Sequence, residues 1–180
     1  MSAKDDDLAL ASRLLIGGIA GFVATLAMTA AMRRLHARLP ADERYPLTPR
    51  ELTDQALAPP PEAAPDLTLA AHFAYGAGCG ALLGAANPGM SRFAGALAGG
   101  GVWLASYMGW IPAFGLLKPA TAHPLRRNLV MLGAHFAWGW STAGGMRELG
   151  RARATIFAAG PARDAADDRS ERSSSQTSMA

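Results

Sequence analysis

Four stretches of the chain, residues 14–32, 67–89, 93–117 and 128–146, contain no Lys, Arg, Asp or Glu. A membrane span requires about 20 mostly apolar residues, and an ionised side chain at its centre costs roughly 2.5 to 3.5 kcal/mol on insertion scales. The pattern predicts four transmembrane helices, at about 14–32, 67–86, 93–111 and 128–146. Four buried core helices of a soluble protein would need amphipathic elements to cover them, and the sequence leaves none for that purpose.

The residues between these stretches predict where the helices stop. The first ends as Arg33, Arg34 and Arg38 reach the headgroups, and Pro40 closes it off. In the loop spanning 33–66, Thr48-Pro49-Arg50-Glu51 places a candidate N-cap, a proline at the first helical position and a glutamate three residues beyond the cap. That is a capping-box pattern, and it predicts a short surface helix over about 49–57. Pro59, Pro60, Pro61 and Pro65 break it and lead semi-rigidly into the second span. Asn87-Pro88-Gly89 is turn chemistry, so spans two and three are expected to form a tight antiparallel hairpin. Pro112 ends or kinks the third span. The spans make residues 1–153 one transmembrane domain, and 154–180, with its serine run, reads as a disordered polar tail.

The chain also repeats itself. AHFAYG at 71–76 returns as AHFAWG at 134–139, and GGIAG at 17–21 is echoed by GALAG at 95–99. The apolar segments therefore read A, B, A′, B′, with offsets of 78 and 63 residues and a first loop 15 residues longer than the third. The expected fold is all-α: an integral membrane four-helix bundle built from two parallel-related helical-hairpin repeats. Each unit crosses twice, so the copies are related by a pseudo-two-fold axis along the membrane normal. His72 and His135 are then expected at matching depths near the face of loops one and three.

Helical spacing sets His72, Gly76, Gly80 and Gly84 in one row and His135, Gly139 and Ala143 in another, while Gly17 with Gly21 and Gly95 with Gly99 supply small residues on the other two spans. Small residues at intervals of four let membrane helices approach closely, so these glycines are read first as packing surfaces. Lining of a narrow pathway or of a flat ligand is the second reading. His72 and His135 are the residues within the spans that titrate near neutral pH. Three roles are open to them: hydrogen bonding to a neighbouring helix, axial ligation of a haem, or a proton-responsive or substrate-binding pair. Tyr75 and Trp138 follow the histidines at equivalent places, which makes them candidate ligand contacts as well. Trp103, Tyr107 and Trp110 share a face of the third span and read as interface anchors or as a stacking cage.

Composition narrows the functions. Over 180 residues the chain is 50% hydrophobic with a net charge of +3, and its mean hydropathy is +0.10. Its basic residues lie mostly in loops and tails without interleaved aromatics, which points to a bilayer with anionic headgroups and away from nucleic acid. Arg33, Arg34, Lys118, Arg126 and Arg127 are the expected headgroup contacts. A homo-oligomer is compatible with this arrangement. Cys79 is the single cysteine, so an internal disulfide and CxxC metal sites are excluded. No catalytic or metal-ligating motif is present: the sequence lacks GxSxG, HExxH and P-loop patterns and has no paired carboxylates on a helix. Asp5, Asp6 and Asp7 precede the first span, where a cleavable signal would be basic, so that helix is expected to be retained. Eight Lys or Arg near loops one and three against six on the other side leave orientation open.

WLASYMGWIPAFGL at 103–116, HPLRRN at 123–128 and GAHFAWGW at 133–140, followed by MRELGRAR, resemble the YagU-type family of uncharacterised bacterial inner-membrane proteins. The likeness is best over the last two spans and loosely covers 14–153. It implies a multi-pass location in the bacterial inner membrane and a small helical bundle, and it brings no catalytic residues with it. The long proline-rich first loop departs from the family's pattern. The expected function is that of a non-enzymatic helical bundle in envelope maintenance or in small-solute or proton passage, without a cofactor. The alternative is a haem-binding redox protein using His72 and His135.

Overall fold

The computed structural model describes residues 3–160, with side chains from residue 9 onward. Its elements are α1 (Ala3–His36), α2 (Thr48–Leu57), α3 (Ala64–Ala86), α4 (Arg92–Leu104), a π-helical turn (Ala105–Trp110), α5 (Ile111–Ala113) and α6 (Leu125–Ala154). Among the described residues there is no strand. α1 and α3 contain stretches long and apolar enough to cross a membrane, Ala9–His36 and Ala64–Ala86. Most of the expected polar tail, 161–180, lies outside the described residues.

Local chemistry explains the boundaries. α1 runs to His36 with Arg33 and Arg34 exposed in its last turn, four residues before Pro40. Pro65 sits in the first turn of α3, where a missing N–H costs nothing. Ser91 caps α4 by accepting from the Ala94 N–H at 3.1 Å. The capping box expected at Thr48 does not form: Leu47 is the N-cap and makes no side-chain bond. Thr48 is instead the first helical residue and is buried against the bundle, which draws the helix start one residue earlier.

The third apolar stretch departs from a single regular span. α-Helical bonding ends at Leu104, widens to a π turn through Trp110, and kinks at Gly109, whose φ and ψ are −108° and −105°. Pro112 has no N–H to offer and its ring crowds the carbonyl one turn back, so the ladder upstream of it must loosen. Gly109 absorbs the resulting bend.

Packing follows the small residues. α1 lies against both α3 and α6, and α6 lies against both α1 and α4. The helices are thus ordered α3, α1, α6, α4. The expected tight pairing of spans two and three is absent: the turn after Asn87 is short, yet α3 and α4 do not pack along their lengths. The reason is the glycine faces, which turn α3 toward α1 and α4 toward α6. A Cβ on Gly80 would strike the Gly17 carbonyl oxygen, and one on Gly76 would strike the Thr25 hydroxyl. A Cβ on Gly99 would strike the His135 carbonyl oxygen, and one on Gly139 that of Gly95. Backbones in contact at both crossings gain dispersion that longer side chains would forbid.

The two crossings differ in register. Gly21 faces Gly76 and Gly80, whereas its counterpart Gly99 faces His135 and Gly139, one helical turn earlier on α6 than the offset of 63 residues requires. Taking Gly80 and Gly139 as the crossing points, His72 lies eight residues away and His135 four. The histidines are therefore not equivalent relative to their crossings.

Candidate functional site

Because α3 and α4 stand apart, the bundle encloses a cavity of about 300 Å³ between α1, α3, the α4 to α5 segment and α6. α2 covers it from the side of the first loop, contributing Thr48, Leu52, Thr53 and Ala56 to the wall. Exposed Leu57, Ala71 and Tyr75 mark the mouth at the α3 side. Across that seam the Tyr75 hydroxyl meets Ser106 Oγ at 2.7 Å, and the Tyr75 ring lies 6.2 Å from that of Trp110. Ser106 in turn donates to the Val102 carbonyl at 2.7 Å within the loosened segment.

All four candidate ligand contacts, His72, Tyr75, His135 and Trp138, line this cavity. They are not alike. Buried His135 bonds through Nδ1 to the Met131 carbonyl at 2.7 Å, on its own helix, whereas the first of the three roles read from the sequence has it bond to a neighbouring one. Half-buried His72 has an enclosed Nε2 with no partner among the described residues. Trp138 is fully buried and donates from Nε1 to the Gly21 carbonyl at 3.1 Å, tying α6 to α1. Trp103 and Tyr107 meet edge to face at 6.2 Å and, with Trp110, line the cavity as well. Tyr107 is 3% exposed, which removes it from any interface belt.

Away from α2 the helices close on one another. Ala20, Met90, Ala143 and Met146 form a buried cluster level with the Gly17 and Gly95 contacts, with Ile16 and Leu83 against it. The cavity is thus a pocket with one closed end.

Arg127, expected at the headgroups, is corrected by its burial: it is 3% exposed. Its guanidinium donates to the carbonyls of Glu43, Tyr45 and Pro46 at 2.7 to 3.0 Å and stacks 3.4 Å from the Tyr45 ring centre. It therefore holds the segment just before α2 to α6, so that α2 comes to lie over the cavity. Arg33, Arg34, Lys118 and Arg126 are exposed. His123 stacks on Tyr107 at 5.5 Å.

Sequence reasoning missed Thr25, Thr48, Thr53 and Ser106 in the wall. Thr25 was within reach of it, since it continues the Gly17, Gly21 row by one more turn. Ser106 was not, because its position depends on the π turn. Among the described residues no cluster of three or more metal-ligating side chains occurs. Comparison with protein-family profiles, curated proteins and solved structures finds no match to this chain.

Proposed function

We propose that this chain is a four-span inner-membrane protein whose bundle binds a small lipophilic molecule in the cavity beneath α2. The observation that carries it is the pairing of an apolar exterior with an aromatic-lined interior pocket. Leu15, Phe22 and Leu26 of α1, Leu82 of α3, Phe93 and Leu97 of α4, and Leu129 and Phe136 of α6 are all exposed. An apolar surface of that extent on every long helix suits lipid and not water. α4 and α6 would complete the four spans, α4 by continuing through the π turn to Ala113.

Binding is favoured over passage because the Met90 and Met146 cluster closes the far end of the pocket. A volume of about 300 Å³ is at the small end of ligand pockets. The mouth beside Tyr75 would open sideways into the bilayer, the phase in which a lipophile is concentrated. The resemblance to the YagU-type proteins is consistent with this location and is itself part of the proposal.

Cys79, half-buried in the cavity wall, reports occupancy. With the protein in nanodiscs, 2-methoxynaphthalene should slow alkylation of Cys79 by N-ethylmaleimide in a saturable way. An unchanged rate up to the solubility limit would remove the binding role. The haem alternative is separated from it by visible absorption of the purified protein, where a Soret band would favour haem.

A further inference from the structure

The polar atoms of the cavity wall select among lipophiles. A carbonyl oxygen can only accept, so the 2.7 Å contact between His135 Nδ1 and the Met131 carbonyl places the ring proton on Nδ1. In the neutral imidazole Nε2 is then a lone pair. Nε2 has no partner among the described residues, and it is not shut away as Nε2 of His72 is. His135 belongs to the cavity wall, so this lone pair opens there.

Most donors of the wall are spent elsewhere; the Tyr75 hydroxyl is taken up by Ser106, and the Trp103 Nε1–H, which has no partner among the described residues, is itself enclosed. Thr25 gives its proton to the Gly21 carbonyl, Thr53 to that of Pro49, Ser106 to that of Val102, and Trp138 its N–H to that of Gly21. An apolar site with an unpaired acceptor open to it favours a guest that brings one donor. Trp103, Tyr107, Trp110 and Trp138 around the same space favour a ring over a bare chain.

We propose that the cavity takes an uncharged aromatic alcohol, a phenol-type lipophile of one or two rings whose hydroxyl donates to His135 Nε2. Any alkyl tail leaves by the mouth between α3 and the α4 to α5 segment. This assignment rests on the binding role proposed above, and its failure is distinguishable from the failure of that role.

The test compares 2-naphthol with 2-methoxynaphthalene, which differ by the donor proton, in protecting Cys79 from N-ethylmaleimide in nanodiscs. Concentrations are corrected for partitioning into protein-free nanodiscs. The expected result is a half-protecting concentration about five-fold lower for 2-naphthol, the worth of one net hydrogen bond. His135→Phe, which keeps the ring and removes the lone pair, should make the two probes equal. Equal protection of the wild-type protein by both probes would overturn the donor requirement while leaving the binding role intact. A preference for 2-naphthol that survives in His135→Phe would overturn His135 as the acceptor. Protection by neither probe would remove the binding role itself. The wild-type comparison stands even where the variant does not fold.

Discussion

Single polar contacts tie the helices together, and each gives a definite expectation. Trp138 Nε1 reaches the Gly21 carbonyl, which also accepts from the Thr25 hydroxyl at 2.8 Å. Trp138→Phe keeps most of the ring and removes the donor, so it should lower detergent stability by about 1 kcal/mol, read from the unfolding midpoint. Arg127→Met should cost more, roughly 2 to 4 kcal/mol, because three loop carbonyls lose a charged donor at once. The same change should speed proteolysis of the first loop. The histidines should differ despite their shared motif. His72→Phe buries a ring where an unpartnered nitrogen now sits and should be neutral or slightly stabilising, whereas His135→Phe gives up the bond to Met131 and should cost about 1 kcal/mol. Equal losses in a thermal unfolding series would contradict the difference in environment.

At the scale of elements, the apolar pattern and the prolines were enough to place α1, α2, α3 and α6. Charge-free runs lie largely within the long helices without bounding them, since α1 starts at Ala3 and α6 runs on to Ala154, while Pro65 and Asn87 mark the ends of α3 through backbone chemistry within a few residues. The motifs also picked out four residues of the cavity wall, because a repeated aromatic hexapeptide in an apolar helix marks an inward face. What the sequence did not show depends on contacts distant in the chain. The Thr48 cap lost to burial of Thr48 itself, the π turn arose from Pro112 acting on the ladder before it, and α3 left α4 because its glycines fit α1 better. Arg127 looked like a surface cation because nothing in its neighbours announces the three carbonyls that loop one delivers to it. Glycine packing can be tested directly. Gly80→Leu would drive a side chain into the Gly17 backbone, with no flexible group to yield, and should destabilise the protein by about 1 to 3 kcal/mol or more. Gly78→Ala, on a face with nothing within 4 Å, should leave the unfolding midpoint unchanged or raise it, because alanine is the better helix former.

For the whole molecule, the arrangement combines closed and open seams. α1 and α6 meet through Trp138 and the Met28 and Met131 cluster, and this side of the bundle is dense. The α3 and α4 side is bridged by Tyr75 and Ser106 and leaves room for a guest. A true two-fold relation between the two hairpins would make these seams alike, and they differ. That pocket has meaning as a bilayer-facing site only if α4 and α6 cross the membrane with α1 and α3. Reporter fusions placed after Arg13, Arg44, Gly89, Lys118 and Arg153 test this most directly. The account predicts one compartment signal at Arg13, Gly89 and Arg153 and the opposite signal at Arg44 and Lys118. The same signal at Gly89, Lys118 and Arg153 would mean that α4 and α6 do not span, and it would contradict the four-helix membrane bundle.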